Sequence, residues 1–238
     1  PEKARVLIPK GTYPVTALFL KSDMILELQE NAVLAGIYDR ARTPILPGQI
    51  EYDNEDGYYN LGSWEGNPID SFASMITGIH VKNVTICGKG VLDGRADFEN
   101  WWSRPKDKIR AWRPRMIFLN HCENITVVGV TVQNSPAWNL HPYFSNQIRF
   151  LDMEVKGPAN SHNTDGCDPE SCTNVEIAGV HFSVGDDCIA IKSGKIYMGK
   201  KFKVPSKHIH IRQSWMKDGH GAVTVGSEIA AGVDDIHI

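Results

Sequence analysis

One short word recurs along most of the chain: a polar or turn residue, then apolar residues at alternate positions. It reads Asn83-Val84-Thr85-Ile86, Asn124-Ile125-Thr126-Val127 and Asn146-Gln147-Ile148-Arg149-Phe150. It returns as Asn174-Val175-Glu176-Ile177, His208-Ile209-His210-Ile211 and Asp235-Ile236-His237-Ile238. Alternation at period two marks a strand with one face buried. With Val84, Ile125, Ile148, Val175, Ile209 and Ile236 as markers, the steps are 41, 23, 27, 34 and 27 residues, a mean of about 30. A repeat of that length with a strand in every period implies a solenoid, a propeller or an array. The uneven steps argue against a propeller, whose blades are more uniform, and suit a coiled parallel β-solenoid with loops of differing length. A β-sandwich also carries regular short strands and is the competing architecture. In a solenoid, successive coils lie about 4.8 Å apart, so residues one period apart become vertical neighbours.

The segments Arg5-Val6-Leu7-Ile8 and Ile25-Leu26-Glu27-Leu28 read as strands of earlier coils. Two stretches break the rhythm. Residues 38–70 hold Pro44, Pro47, Gly48, Tyr52, Tyr58, Tyr59 and Trp64, and residues 95–115 hold Trp101, Trp102, Trp112 and many charges. Long loops of this kind tend to be functional; their aromatic rings suit either sugar stacking or packing on the solenoid. The balance of 25 basic against 28 acidic side chains excludes a generally basic nucleic-acid binder. No apolar run approaches the roughly 18–20 residues of a membrane-spanning helix, and no membrane partner is expected. Five cysteines, an odd number, leave at least one unpaired within a monomer, and their spacing fits no four-ligand zinc pattern. No metal and no cofactor is expected. The start at Pro1, without an initiator Met or apolar leader, is expected of a processed chain or of a piece of a longer one.

Three clusters can carry chemistry: Asn163-Thr164-Asp165-Gly166 followed by Asp168, then Gly185-Asp186-Asp187-Cys188, then Gly219-His220-Gly221. They fall on successive repeats, with Asp186 21 residues after Asp165 and His220 34 residues after Asp186. If each opens the same side of its coil, the carboxylates and the imidazole converge. Paired carboxylates flanking a glycosidic bond supply a general acid and a water-activating base, about 6.5–9.5 Å apart in inverting enzymes and about 5–5.5 Å in retaining ones. The sequence does not choose between them. An acidic cluster also suits Ca²⁺, and any single Asp-Gly pair is commonly just a turn. Neighbouring strand residues point to opposite faces, so Asp186 and Asp187 can share a cleft only from a bend or bulge, which Gly185 permits.

These segments resemble glycoside hydrolase family 28, the polygalacturonases and their relatives. The NTDGxD motif is matched by Asn163 to Asp168, GDD by Gly185-Asp186-Asp187 and GHG by Gly219-His220-Gly221, running on to Val225-Gly226-Ser227. Gly88 to Gly94 and Ser135 to Pro142 are also similar to family segments. The resemblance implies an all-β fold, a right-handed parallel β-helix, over residues 1–238 as one domain. It implies that Asp186 is the general acid, that Asp165 and Asp187 hold and activate the attacking water with inversion, and that His220 tunes the acid. Asn163, Asp168, Lys192, Gly219 and Gly221 are the expected substrate-binding set. The family's Arg-x-Lys motif, one coil after GHG, does not follow His220 before Ile238, so a C-terminal truncation is expected, and the abrupt start fits a missing first coil and N-terminal cap.

The stretch Lys192 to Lys217 carries eight Lys or Arg side chains and no Asp or Glu. Beside the motifs it reads as a basic rim that steers a polyanion; by composition alone it is a solvated loop. The expected partner is an acidic polysaccharide or oligogalacturonide, bound by a monomer in an extracellular or periplasmic setting. Competing readings are a hydrolase of another pectic polymer such as rhamnogalacturonan, a Ca²⁺-dependent lyase on a similar solenoid, and a non-catalytic polysaccharide-binding solenoid. The two long loops are expected to block one end of the groove and make it exo-acting.

Overall fold

A computed structural model describes residues 3–48 and 61–238. Its strands stack into parallel ladders on three sides. The first sheet orders Ala4–Ile8, Met24–Leu28, Lys82–Gly88, Glu123–Val128, Asn146–Leu151, Thr173–Ala178, Ser206–Arg212 and Val233–His237. The second runs from Gly11–Val15 and Ala32–Gly36 through Val91–Asp93, Thr131–Gln133, Glu154–Lys156 and His181–Ser183 to Trp215–Asp218. The third contains Leu18–Phe19, Ile76–Ile79, Ile117–Asn120 and Leu140–Tyr143. Bridges through Cys167 and Glu170 extend it to Ile189–Ile191 and Val223–Val225. The chain visits the three sheets in the same order on every turn, which makes it a parallel β-helix, right-handed as parallel β-crossovers are.

The recurring word is the vertical register of the first sheet. Val84 pairs with Ile125, Ile125 with Ile148, Ile148 with Val175, Val175 with Ile209, and Ile209 with Ile236. All but the last are buried inside the coil. The second sheet contributes Leu92, Val132, Val155 and Phe182, and the third Ile117, Leu140, Cys167 and Ile189, to the same core. Each inward side chain therefore packs on its counterpart one rung away. The five cysteines are all unpaired thiols.

The corners differ in length, and that decides where loops can grow. First and second sheets are joined by turns of a few residues, as at Gly129-Val130 and Gly179-Val180. The corner between the second and third sheets is permissive. It holds both irregular stretches, between Gly36 and Ile76 and between Asp93 and Ile117, and all three polar motifs. Part of the first stretch, including Tyr52, Tyr58 and Tyr59, lies outside the described residues. The corner between the third and first sheets carries an element that the strand pattern does not announce, the helix Ile196–Phe202. The first irregular stretch and this helix cover the outer face of the third sheet, where Leu46, Ala73, Phe118, Tyr143 and Met198 form a second apolar cluster.

Candidate active site

The motifs lie on three successive turns of the permissive corner, each just ahead of a third-sheet strand. Backbone bonds between rungs hold them in step: Gly166 N–H donates to the Asp187 carbonyl (2.9 Å), Cys188 N–H to Gly221 (2.8 Å), and His220 N–H to Asp186 (3.0 Å). Asp186 sits in a bend after the strand His181–Ser183, and Asp187 lies between that bend and the strand Ile189–Ile191, so the alternation of a regular strand does not separate them. One carboxylate oxygen from each of Asp165, Asp186 and Asp187 lies within 4.8 Å of the other two. The His220 ring comes to 3.2 Å of Asp186 (Nδ1 to Oδ1).

Glycines are required because backbone and carboxylate approach so closely. A Cβ on Gly221 would stand 2.9 Å from Asp187 Oδ1, and one on Gly219 would stand 2.8 Å from both the Asp186 carbonyl and the Cys188 sulfur. Gly219 also takes a φ of +153°. These two glycines shape the floor on which the acids rest.

The cluster is asymmetric. Asp165 is buried, the Asp186 side chain is 25% exposed and that of His220 71%. Burial first, and then the charge of Asp186, raise the Asp165 carboxyl above the usual carboxylate range. Burial and the neighbouring like charge thus favour the protonated form of Asp165.

Two of the expected substrate contacts lie beneath this floor. Asp168 is fully buried on the outer face of the third sheet, and Lys192 is 5% exposed. Lys192 Nζ bonds Glu228 (2.8 Å) and the Gly226 carbonyl (3.2 Å), and stands 3.9 Å from Asp168 and 5.0 Å from the Trp138 ring centre. Burial alone lowers the Lys192 ammonium, but Asp168, Glu228 and Asp165 together outweigh it and hold the lysine charged. Burial, and then Asp165, push Asp168 well above its ordinary value. The physical reason is cover: the first irregular stretch and the helix close over this face, so these side chains support the site from below.

The basic stretch is likewise not a single rim. One turn of the solenoid takes about as many residues as the stretch contains, so its lysines go round the whole perimeter. Lys200 and Lys201 ride the helix, Lys207 and Arg212 the first sheet, and Lys217 the second. The tryptophans of the loops mostly pack: Trp64, Trp101 and Trp102 are buried, and Trp102 Nε1 donates to the Ser135 carbonyl (3.1 Å).

Asn163 stands at the edge of the cluster with φ +56°. Its Oδ1 accepts from Arg113 Nη2 (2.7 Å), and Arg113 Nη1 also reaches the carbonyls of Pro136 (2.7 Å) and His162 (2.8 Å). Arg113 lies over the Trp64 ring, which stacks on Trp112 at 4.4 Å. Other supports also went unread in the sequence. Thr164 Oγ1 accepts from Gly185 N–H (3.1 Å), and the Asn139 amide donates to the Asp165 carbonyl (3.0 Å). Glu228 follows directly on Val225-Gly226-Ser227, the one local signal that pointed toward it; Arg113 offered none.

Fold and corner together define a class, the parallel β-helix proteins that gather acid side chains on the turns between two of their sheets. The chain belongs to the glycosyl hydrolases family 28, whose model matches residues 46–238. It is 31% identical over 236 residues to a probable polygalacturonase of Vitis vinifera, covering 98% of this chain and 46% of that protein. It is 32% identical over 189 residues to an endo-polygalacturonase of Pectobacterium carotovorum subsp. carotovorum, covering 74% of this chain and 44% of that protein. Among solved structures, a hyperthermoactive exopolygalacturonase from Thermotoga maritima superposes with a TM-score of 0.82 at 27% identity, over 98% of this chain and 57% of that one. The chain thus spans somewhat less than half the length of these two sequence relatives.

Proposed function

We propose that this chain carries the active corner of a hydrolase of α-1,4-galacturonosyl bonds in pectin. The observation that carries the reading is the convergence of Asp165, Asp186 and Asp187 beside His220 on one open corner. Asp186 is the acid that faces the exposed imidazole, whereas Asp165 is buried. In the proposed reaction Asp186 gives its proton to the glycosidic oxygen as the C1–O bond breaks. A water attacks C1 from the opposite side and loses its proton to Asp165 or Asp187. Burial favours a proton on Asp165, and passing that proton to Asp186 leaves Asp165 able to act as base. Nearest oxygens within 4.8 Å do not by themselves choose a stereochemical course. Inversion is the course that the family membership suggests, with two acids left to hold the water while one donates. Asn163 and the exposed His162, His220 and Lys217 are the polar groups a uronate meets at this corner.

Exo action is the finer reading. Both irregular stretches rise from the same corner, on turns preceding the acids, and Arg113 ties the Trp64–Trp112 stack to Asn163. A groove walled at that end admits a chain terminus and not a chain interior. The substrate lies in plant cell wall, so the setting is extracellular or periplasmic, and the working unit is a monomer.

Digestion of polygalacturonate, with products separated by size and the first-formed anomer read by NMR, tests these points together. Monomer as the sole early product, in the β form, is expected. A ladder of sizes removes the exo reading, an α product removes inversion, and the absence of new reducing ends removes the hydrolase. Asp186→Asn should lower kcat about 10²–10⁴-fold while oligogalacturonide binding stays within about twofold; an equal loss of binding would make the residue structural.

A further inference from the structure

The outer face of the first sheet lies across the solenoid from the acid corner and carries a groove of about 580 Å³. Its construction repeats rung by rung. Asn124, Gln147, Asn174 and His208 each enter their strand in the left-handed region, with φ of 55–57°. That conformation drops them out of register: Glu123 pairs with Asn146 and Ile125 with Ile148, while Asn124 and Gln147 are skipped. The result is a row of amide and imidazole side chains running along the solenoid. The outward residues two positions further on, Arg149, Glu176 and His210, pair in register as a second row. Both rows advance one rung, about 4.8 Å, at a time, a step of the order of one pyranose ring along a polymer.

Two arginines, Arg149 and Arg212, line the groove against one acid, Glu176, and the lining His208 is held by Asp235 of the next rung. That acid, Glu176, is already engaged by Arg212 (2.6 Å). Arg149 is exposed and makes no ion pair or hydrogen bond among the described residues, and neither does the Gln147 amide. A planar guanidinium matches a carboxylate in bidentate fashion, and amides match sugar hydroxyls as donor and acceptor. The groove offers no buried aromatic anchor of the kind that dominates protein interfaces, and two arginines are too few for a phosphate backbone.

We infer that this face is a second, non-catalytic binding groove for a uronate-bearing polysaccharide chain, with Arg149 seating a carboxylate and Gln147 a hydroxyl. The inference rests on the pectic reading of the acid corner. Because this groove and the acid corner lie on opposite sides, the strand held here is not the strand being cut, and the groove keeps the protein on its polymer between cuts.

The test is affinity electrophoresis of the Asp186→Asn protein through gels with and without polygalacturonate, alone and with Arg149→Ala plus Gln147→Ala. The added pair removes side chains that hold nothing else in the fold, and unchanged circular dichroism verifies this. Retardation should weaken about tenfold in apparent affinity, the size of one lost charge-assisted contact. With Asp186 restored, the pair should leave hydrolysis of a short soluble oligogalacturonide unchanged and slow release from a polymer gel. Unchanged retardation overturns the inference. So does equal retardation by dextran sulfate, which makes the face a mere charge patch, or a dimer in sedimentation that Arg149→Ala dissolves, which makes it a self-contact. Loss of retardation on the double substitution, with no hydrolysis by the native protein, would leave the groove standing and remove the hydrolase reading instead.

Discussion

Lys192 illustrates how burial redefines a residue. In the open it would be one more cation on a basic surface; covered, it neutralises Glu228 at 2.8 Å and faces Asp168 at 3.9 Å beneath the acid corner. Breaking such a pair strands the remaining charge, so Lys192→Met should cost about 3–5 kcal/mol, read from urea unfolding. Lys192→Met combined with Glu228→Leu should recover a large part of that loss, because the stranded carboxylate is gone. If the double variant is as unstable as the single one, the lysine serves chiefly as packing. Activity should stay low in both, since Asp165 loses the nearby positive charge that opposes its protonation.

At the scale of elements, the strands and the turns answer to different forces. Ile148 is fully buried in the first-sheet row between Ile125 and Val175, so Ile148→Ala should destabilise by about 2–5 kcal/mol and leave kcat nearly unchanged in the folded fraction. Gly221→Ala should do the reverse. Its Cβ would press on Asp187 Oδ1 from 2.9 Å, and kcat should fall about 10- to 100-fold with a small change in Tm. Equal losses of stability in the two variants would contradict this division of labour. The strands were legible because alternation at period two is a local pattern. The helix Ile196–Phe202 was not: at seven residues it is too short to show a period of 3.6, and only Met198 and Gly199 are buried. The lengths of the irregular stretches were legible, but not that most of their tryptophans face inward, which depends on what lies beneath them.

For the whole molecule, the layer of buried acids under the corner sets a dependence on pH. Burial raises the Glu170 carboxyl from its ordinary 4.5 to about 7, and Asp165 and Asp168 are raised in the same direction. A carboxyl raised on folding contributes stability that is present below its unfolded value and lost as pH rises through its folded one. His141, which bonds Glu170 at 2.9 Å and is held neutral by burial, acts oppositely, favouring the fold as pH rises through its ordinary 6.5. Glu170→Gln keeps a polar partner for His141 and has no proton to lose. Tm measured from about pH 5 to about pH 8 should therefore show the variant gaining on the native protein as pH rises, most steeply between 4.5 and 7. A constant difference would mean that Glu170 enters the fold already ionised.

Taken by itself, the sequence determined the parallel solenoid, the row of aliphatic markers and the turns that bear Asp165, Asp186, Asp187 and His220. Period-two alternation dictates which side chains point inward, and stacking then brings residues one period apart together. Tertiary structure alone decided which polar residues reach solvent. Asp168 and Lys192 stand one short step from the acids along the chain, yet the first irregular stretch and the helix close over them. Arg113 reaches Asn163 from 50 residues away. Cover and reach of this kind depend on how loops from distant turns fold onto a sheet, and no local pattern of residues encodes them.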